Sequence, residues 1–488
     1  MAEPPEAQVK LKNGQELTGV VTGFETNAFI LSVQGEPATI PLMDIERLTF
    51  NKPALVSIGV KIEGQINIPG IKGYSNLKTG DWDGDGLPEL FAVNGGKLQV
   101  LSGEGKVLGE KAVGTANINL LADVDNDKKD EVFISWTAGA DLIIAVIDQN
   151  MKELKRFKAE GRIYNGRPDS GISAAALVDL NQDGKKELLA QVTSGYGWKP
   201  RGVYCFDWET AGLLWKYNTG GFPVAPVAAD INGDGLKEVV FGSYSPGNGN
   251  TEADGTDDGH CYLYAVSNKG KLLWVKELGD YFTGATPLLA DLDGDGTMEI
   301  FARIEAGPDF REDVGRLLRL DKDGKELARF DAGSTLYACE AAGLNGDKKK
   351  AIICPDRQGN IYLLDKDLKV LTKRSLGTTD FESIMTNLAG VQDLDRDGKP
   401  EIILTYSERK FVSGRNPRSD GGESNVRHYY NNSVLVLDSG LKLKARYVAA
   451  EEWKVHPGFS ALAADLNGDK KPELLSLADK AVVLQLTQ

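Results

Sequence analysis

Oxygen-bearing side chains recur along this chain in a short acidic pattern of nine residues. Asp stands at position one, Asp or Asn at position three, Asp at position five and Glu at position nine, usually with Gly at position six. Calcium takes six to eight hard oxygen ligands in flexible geometry, and this spacing can supply them. Seven intact copies, numbered here as loops one to seven, provide the predicted metal ligands: Asp81, Asp83, Asp85 and Glu89; Asp123, Asp125, Asp127 and Glu131; Asp179, Asn181, Asp183 and Glu187; Asp230, Asn232, Asp234 and Glu238; Asp291, Asp293, Asp295 and Glu299; Asp393, Asp395, Asp397 and Glu401; Asp465, Asn467, Asp469 and Glu473.

An eighth copy between loops five and six has lost most of its ligands. Gly343, Asn345, Asp347 and Ala351 occupy its ligand positions, so we expect this degenerate loop to bind no ion. Lys128 and Lys470 replace the usual Gly in loops two and seven, which are expected to bind more weakly. The alternative is that Asp, Asn and Gly only mark solvated hairpin turns.

The charge of the chain fits bound calcium. The formal net charge is −15, and the seven loops contain 25 carboxylates at their ligand positions. Seven calcium ions would bring the loaded protein close to neutrality, so the acidity indicates metal ligation and the predicted cofactor is Ca²⁺ at about seven structural sites. No basic stripe suggests a nucleic-acid partner. We therefore predict no nucleic acid partner.

The predicted location is extracellular or periplasmic, because millimolar calcium there would fill such loops. No apolar run is long enough for a membrane span, which predicts no transmembrane segment. The first residues lack a basic and apolar signal sequence and resemble a mature secreted chain with an added initiator Met.

The elements that position these loops are predicted to be short strands. The eight copies start 42 to 72 residues apart, which is the period of a supersecondary unit in a propeller or solenoid. Each repeat shows four strand-like segments, as in a propeller blade. The fold class predicted for residues 54–488 is an all-β, eight-bladed β-propeller, with seven blades as the fallback. Only two strands follow loop seven, so the segment 56–68 is expected to complete the last blade and close the ring.

The first 53 residues form a separate predicted domain. Alternating segments at 9–14, 16–21, 28–33, 38–42 and 45–50 resemble a small SH3-like or Sm-like β-barrel. Few basic residues and no aromatic stacking platform favour protein docking or simple packing over RNA binding.

The repeats from about residue 55 to the end resemble FG-GAP and VCBS repeats, found in integrin alpha-chain propellers and many bacterial surface proteins. The resemblance implies that each loop joins the two inner strands of a blade and that its calcium is structural. It carries no implication about activity.

Two of the four cysteines flank the degenerate loop. Cys339 precedes it and Cys354 follows it on the facing strand of one hairpin, so a disulfide is expected there; two buried free thiols are the alternative. Cys205 and Cys261 offer no comparable argument.

The binding site is predicted on the face opposite the calcium loops, because function usually lies in loops on a rigid scaffold. Long connections at 193–201, 245–260, 305–314 and 407–430 would meet there with connections between blades. Aromatic and Arg side chains dominate recognition of proteins or glycans. The predicted ligand-binding residues are Tyr196, Trp198, Arg201, Tyr281, Phe282, Arg311, Arg415, His428, Tyr429 and Trp453, and their alternative role is to close the propeller core.

The function predicted from these features is a non-catalytic binding, adhesion or scaffold module for protein or glycan. The alternative is a polysaccharide lyase, because eight-bladed rhamnogalacturonan lyases resemble this arrangement. A lyase needs a base and a cation beside a uronate, for which His428, Tyr429, His456, Lys199 and Arg201 are unconnected candidates, and we assign no catalytic residue. Trp215 and Trp274 resemble the tryptophans of quinoprotein propellers, but the adjacent cysteine pair of that family is missing. We therefore expect these tryptophans to pack between blades.

Overall fold

The computed structural model describes residues 6–25, 28–51, 57–66, 77–250, 253–306, 315–346, 349–376, 383–417, 423–454, 460–477 and 481–486. The contacts divide the chain into two compact units, Met1–Val56 and Ser57–Gln488. In the first unit, five strands pair antiparallel in the order β4-β3-β2-β1-β5, around a small core of Val9, Leu31 and Ile40. Closure of this sheet into a barrel stays a prediction. Its elements are β1 (Glu6–Leu11), β2 (Glu16–Glu25), β3 (Ala28–Val33), β4 (Glu36–Pro41), a 3-10 helix (Leu42–Asp44) and β5 (Ile45–Asn51).

The second unit consists of four-stranded antiparallel sheets, numbered here in chain order, in which successive strands pair. Strand β6 (Val60–Ile66) precedes them. The first four sheets contain β7 (Lys78–Gly80), β8 (Glu89–Asn94), β9 (Lys97–Leu101) and β10 (Val107–Ala112); β11 (Asn117–Ala122), β12 (Glu131–Ala138), β13 (Asp141–Ile147) and β14 (Glu153–Glu160); then, after a small hairpin of β15 (Ile163–Tyr164) and β16 (Arg167–Pro168), β17 (Ser170–Val178), β18 (Glu187–Ser194), β19 (Gly202–Asp207) and β20 (Leu213–Asn218); and β21 (Phe222–Ala229), β22 (Glu238–Tyr244), β23 (Cys261–Val266) and β24 (Leu272–Gly279).

Sheets five to eight repeat the arrangement. A single residue pair, Tyr244 with Gly284, joins sheets four and five. Sheet eight has only three strands of its own, and β6 pairs antiparallel with β39 to supply the fourth. The strands are β25 (Thr283–Ala290), β26 (Glu299–Ala306), β27 (Gly315–Leu320) and β28 (Glu326–Asp331); β29 (Glu340–Ala342), β30 (Ala351–Pro355), β31 (Asn360–Leu364) and β32 (Val370–Ser375); β33 (Ser383–Gln392), β34 (Glu401–Pro417), β35 (Glu423–Leu437) and β36 (Leu443–Lys454); β37 (Ser460–Ala464), β38 (Glu473–Leu477) and β39 (Ala481–Leu486).

The apolar core of this unit lies between consecutive sheets. Successive residues of a strand point to opposite faces, so Leu188 and Ala190 pack towards sheet two while Leu189 packs towards sheet four. One buried cluster fills each interface along the chain, and another joins sheet eight back to sheet one through Ile66, Leu90 and Leu475. The prediction of an all-β propeller is confirmed by this cyclic order.

Two tryptophans mark the contacts between sheets. The Trp215 indole N–H donates to the Asn268 carbonyl oxygen at 2.9 Å, and that of Trp274 donates to the Lys322 carbonyl oxygen at 2.8 Å. Each ring lies on the turn between the third and fourth strands of the next sheet, where Gly270 or Gly324 leaves room for it. The prediction that both pack between blades is therefore confirmed.

One predicted loop is wrong. Residues 407–430 were expected to form a long connection, but β34 and β35 continue through most of this segment as paired strands. Pairing continues there because the two segments lie in antiparallel register, with Glu408 opposite Tyr430 and Val412 opposite Val426.

Candidate metal centres and binding surface

Each acidic loop joins the first strand of a sheet to the second. In loop one, Asp81 accepts the backbone N–H of Gly84 at 2.7 Å and that of Gly86 at 3.0 Å. Asp83 and Asp85 accept further N–H groups from within the loop. These hydrogen bonds hold the backbone wrapped around the carboxylates. The carboxylate oxygens that are left over are thereby brought close together.

The glutamate at position nine anchors the loop in the core. In all seven loops its Oε2 accepts the backbone N–H of position two, at 2.7 to 3.2 Å. All seven of these side chains are buried, so Oε1 is held in a fixed place beside the other carboxylates. The seven residues are Glu89, Glu131, Glu187, Glu238, Glu299, Glu401 and Glu473.

Positions four and six of every loop have left-handed backbone conformations. The sequence pattern indicates a special backbone conformation only at position six, where Gly is frequent. Position four gives no such signal because its residues vary, as with Asn126 (φ 65°), Gln182 (φ 59°) and Arg396 (φ 64°). Lys128 and Lys470 adopt φ of 72° and 66° at position six. A non-glycine residue there costs about 1–2 kcal/mol, so these two lysines are held in a strained conformation.

Replacing Lys128 with glycine is expected to stabilise the protein by about 0.5–1 kcal/mol, because relief of strain exceeds the added entropy of the unfolded chain. The measurement is the melting midpoint. Lys129→Gly is the matched control, since Lys129 is outside the residues with positive φ and should lose stability. Equal effects of the two substitutions would contradict the strain argument.

The loops concentrate negative charge in partly buried surroundings. Burial raises the pKa of Glu89 to about 7, and the nearby carboxylates of Asp83, Asp85 and Asp81 add to the rise. In loop six, Asp393 Oδ1 is buried and has no hydrogen-bond partner. A hard oxygen donor set with an unsatisfied buried carboxylate oxygen fits a divalent cation. Carboxylate oxygens converge within 4.8 Å in loops one, two, five and six, at Asp81, Asp83 and Asp85; Asp123, Asp125 and Asp127; Asp291, Asp293 and Asp295; and Asp393, Asp395 and Glu401.

Fixed cations lie against two of the loops. Lys444 Nζ lies 2.5 Å from Asp395 Oδ2 and 2.7 Å from Glu401 Oε1 in loop six. In loop five, Lys366 forms an ion pair with Asp293, and Arg319 lies 3.6 Å from Glu299 Oε1. Nothing in the sequence pattern of the loops indicates these partners.

The structure links Cys339 and Cys354 as a disulfide, with 4.6 Å between their Cα atoms. The bond joins β30 to the segment just before β29, on either side of the degenerate loop. Cys205 and Cys261 are free and buried.

Exposed aromatic rings gather at the other end of sheets three to five. Each acidic loop ends the first strand of its sheet, so the connections before that strand and after the second lie at the opposite end. Among the side chains whose exposure the structure describes, the five exposed aromatic ones all lie on such connections. These five, called here the aromatic surface, are Tyr164, Tyr196, Trp198, Tyr281 and Phe282.

Contacts join the members of the aromatic surface. The Tyr164 and Tyr196 rings stack with centroids 6.4 Å apart, and the Trp198 indole N–H donates to the Asn248 carbonyl oxygen at 3.0 Å. Gly247 lies against the Tyr281 ring and Gly249 against the Trp198 ring. The connection at 245–260 thus passes between the aromatic residues of sheet three and those that precede sheet five.

Arg201 lies beneath this surface and is only 1% exposed. Its guanidinium donates to the carbonyl oxygens of Ser194, Gly195 and Gly220, and to Asp258 and the Asn248 side chain, at 2.6 to 3.1 Å. These acceptors engage all five N–H donors of an arginine. The prediction that Arg201 contacts a ligand is therefore replaced by a structural role, which also removes it from the lyase candidates.

The remaining predicted ligand-binding residues fall in different places. Tyr196 and Tyr281 are 67% and 61% exposed, and Trp198 and Phe282 lie beside them. Arg415, His428, Tyr429 and Trp453 lie on the long strands of sheet seven, where Tyr429 pairs with Trp453 across β35 and β36. Trp453 thus lies on a strand and not in one of the connections where the ligand-binding residues were expected. Arg311 and His456 lie outside the described residues.

The segment 247–258 is rich in acidic residues, and its sequence fits either an additional calcium site or a mobile solvated loop. Asp258 pairs with Arg201 at 3.1 Å, and Asp257 pairs with His260 at 2.8 Å. Asp258 thus has a cationic partner and Asp257 a histidine ring as partner, and the segment is bound to its neighbours by Asp258.

Within the described part of the chain, no helix has the length and apolar character to cross a membrane. No family model and no curated protein matches the sequence. Among solved structures, the chain is similar to BamB from Moraxella catarrhalis, with TM-score 0.47, 11% identity and coverage of 88% of this chain and 98% of that one. It is also similar to BBS1N in its complex with ARL6DN, with TM-score 0.42, 13% identity and coverage of 81% and 98%. A third similar structure is the Dos1 propeller, with TM-score 0.34, 14% identity and coverage of 84% and 78%.

Proposed function

We propose that this chain is a calcium-stabilised, eight-bladed β-propeller that acts outside the cytosol as a non-catalytic binding or scaffold module for a protein or glycan. The observation that carries the proposal is the separation of two kinds of surface. Acidic loops occupy one end of the sheets, and the five side chains of the aromatic surface occupy the other end of sheets three to five. One end stabilises the propeller and the other recognises a partner.

The metal component rests on the donor set and its geometry. The side chains at positions one, three, five and nine would hold each ion, and calcium would neutralise carboxylates that otherwise repel one another. Glutamate Oε1 at position nine is fixed in place because Oε2 already accepts a backbone N–H. Each filled loop would thereby hold the first two strands of its sheet together.

Two features agree with a location outside the cytosol. Solvent-exposed loops, like those of extracellular calcium modules, bind calcium at the sub-millimolar to millimolar concentrations found outside cells. The disulfide between Cys339 and Cys354 is of the kind that persists in oxidising compartments.

The aromatic surface suits recognition because its rings are exposed while the backbone beneath them is fixed. Arg201 ties the connections at 195–200, 219–221 and 246–259 to one another through buried hydrogen bonds. The Phe282 N–H donates to the Ser245 carbonyl oxygen at 2.8 Å and so fixes the connection that precedes sheet five. Rigid aromatic anchors lose little conformational entropy on binding.

Replacing Tyr196 and Trp198 together with alanine is expected to weaken partner binding by about 30-fold or more, since even one aromatic anchor commonly contributes ~2 kcal/mol. Binding is measured by affinity electrophoresis against a panel of neutral and acidic polysaccharides, and by surface plasmon resonance against purified exported proteins. The matched control is Leu213→Ala with Leu214→Ala, which truncates two exposed side chains on β20, outside the aromatic surface.

Equal binding by the two double variants would contradict the role of the aromatic surface. Loss of binding to polysaccharides alone would identify a glycan partner, and loss of binding to a protein alone would identify a protein partner. The melting midpoint of the Tyr196 and Trp198 variant should stay close to that of the parent protein, because both side chains are exposed.

A further inference from the structure

The seven acidic loops differ in what lies against their ligand oxygens. In loops two, four and seven, a neutral amide of Gln149, Asn232 or Asn467 donates to Oε1 of the position-nine glutamate, at 2.7 to 3.0 Å. In loops five and six, Arg319 and Lys444 face that same oxygen. Among the ion pairs of the described residues, loops one to four and loop seven receive no lysine or arginine at a ligand carboxylate.

In loop six, the Lys444 ammonium offsets the negative charge of ligand carboxylates, as a bound metal ion would. The ammonium lies between Asp395 at position three of the loop and Glu401 at position nine. Glu401 is almost fully buried, so this ion pair is weakly screened by solvent. Asp393 Oδ1 keeps no partner, so a cation can still bind, but it must compete with the ammonium for two of the three converging side chains.

In loop five the fixed cations also connect two sheets. Arg319 on β27 faces Glu299 and donates to Asp367 of sheet six at 2.8 Å. Lys366 of sheet six pairs in turn with Asp293. These ion pairs between side chains thus join loop five to sheet six.

Sheet six, which lies between these two loops, contains the degenerate loop. Ala351 stands where the other loops have glutamate, and a cleft of about 450 Å³ beside it has both lysine and aspartate in its lining: Lys349, Lys350, Lys366, Asp293 and Asp365. The loop still bonds to its neighbour, because the Lys350 N–H donates to the Leu292 carbonyl oxygen at 2.8 Å. The Cys339–Cys354 disulfide links β30 to the segment just before β29, on either side of this loop.

From these contacts we propose that sheets five, six and seven form a sector that keeps its structure without calcium. Loops five and six are weak calcium sites, and lysine, arginine and the disulfide hold this sector together. Sheets one to four and sheet eight depend on the ion. The inference rests on the proposed structural role of calcium and adds which part of the propeller needs it.

Hydrogen exchange of the full chain, followed by mass spectrometry of peptides with calcium and with excess EGTA, tests the proposal. Chelation should speed exchange about tenfold in peptides from sheets one to four and eight, as expected for loss of an ion present at ten times its Kd. Peptides from sheets five to seven should exchange at nearly unchanged rates. Equal acceleration in all eight sheets, or faster exchange in sheets five to seven first, would overturn the proposal. No change in any peptide, together with no bound calcium, would instead overturn the proposed role of the ion.

Lys444→Met sharpens the test at one loop. Without the ammonium, loop six should bind calcium more tightly by about tenfold, and peptides from sheet seven should become sensitive to EGTA. Lys442→Met is the matched control, because Lys442 lies two residues away, is exposed and contacts no ligand carboxylate through the ion pairs of the described residues. Unchanged calcium affinity and unchanged exchange in Lys444→Met would contradict the role of Lys444. If this variant fails to fold, the comparison of sheets in the parent protein still decides the proposal.

Discussion

Chelation of calcium is expected to lower the melting temperature of this protein by many degrees. An ion present at ten times its Kd stabilises the folded state by about 1.4 kcal/mol, so the five calcium-dependent loops together contribute on the order of 7 kcal/mol. The carboxylates of each loop repel one another once the ion is removed, which is consistent with the raised pKa of buried Glu89. Calorimetry in about 1 mM calcium and then in excess EGTA measures the effect.

Magnesium provides the control for this experiment, because it demands octahedral geometry and gives up its water reluctantly. Restoration of the melting temperature by calcium but not by magnesium is expected. Identical curves with and without chelator would show that the loops are only solvated turns, which is the alternative that the sequence left open.

Replacement of Arg201 with methionine is expected to destabilise the protein by about 3–5 kcal/mol, because it leaves the buried Asp258 carboxylate without its partner. The carbonyl oxygens of Gly195 and Gly220 also lose their donors. Since these groups fix the connections beneath the aromatic surface, partner binding should weaken in the same variant. The melting midpoint and the binding assay described above measure the two effects.

Arg156→Met is the control for this substitution. Arg156 pairs with Glu153 at 2.6 Å, but both side chains are about a third exposed or more, so the pair is worth less than ~1 kcal/mol. A loss for Arg201→Met as small as that for Arg156→Met would show that solvent or neighbouring groups satisfy Asp258 easily. In that case the fixed backbone beneath the aromatic surface would need another explanation.

Much of the propeller could be predicted because the residues that specify each loop and its strands lie close together in the chain. The spacing of Asp81, Asp83, Asp85 and Glu89 lies within nine residues, and the structure closes that segment with hydrogen bonds from its own backbone. The strands beside each loop follow from alternating apolar residues. The segment 56–68 was expected to complete the last sheet because the chain ends two strands after loop seven, and β6 lies there beside β39.

Local sequence patterns also led to two wrong predictions. The segment 407–430 is rich in polar residues and suggested a loop, yet the facing strands β34 and β35 pair along most of it. Arg201 was grouped with exposed aromatic residues by its position in a connection. Its burial depends on acceptors that other connections supply.

The sequence alone determined the acidic loops, their repetition and the β-architecture, because each depends on residues close together in the chain. Only the tertiary structure decided which distant side chains meet. Arg201 and Asp258 are 57 residues apart, and Lys444 and Glu401 are 43 apart, so no periodic pattern pairs them. Packing of neighbouring sheets gathers the five exposed aromatic residues, buries Arg201 beneath them and gives loops five and six cations of their own. The physical reason is that burial and charge pairing depend on contacts between sheets, whereas the loop pattern depends on backbone turns within one.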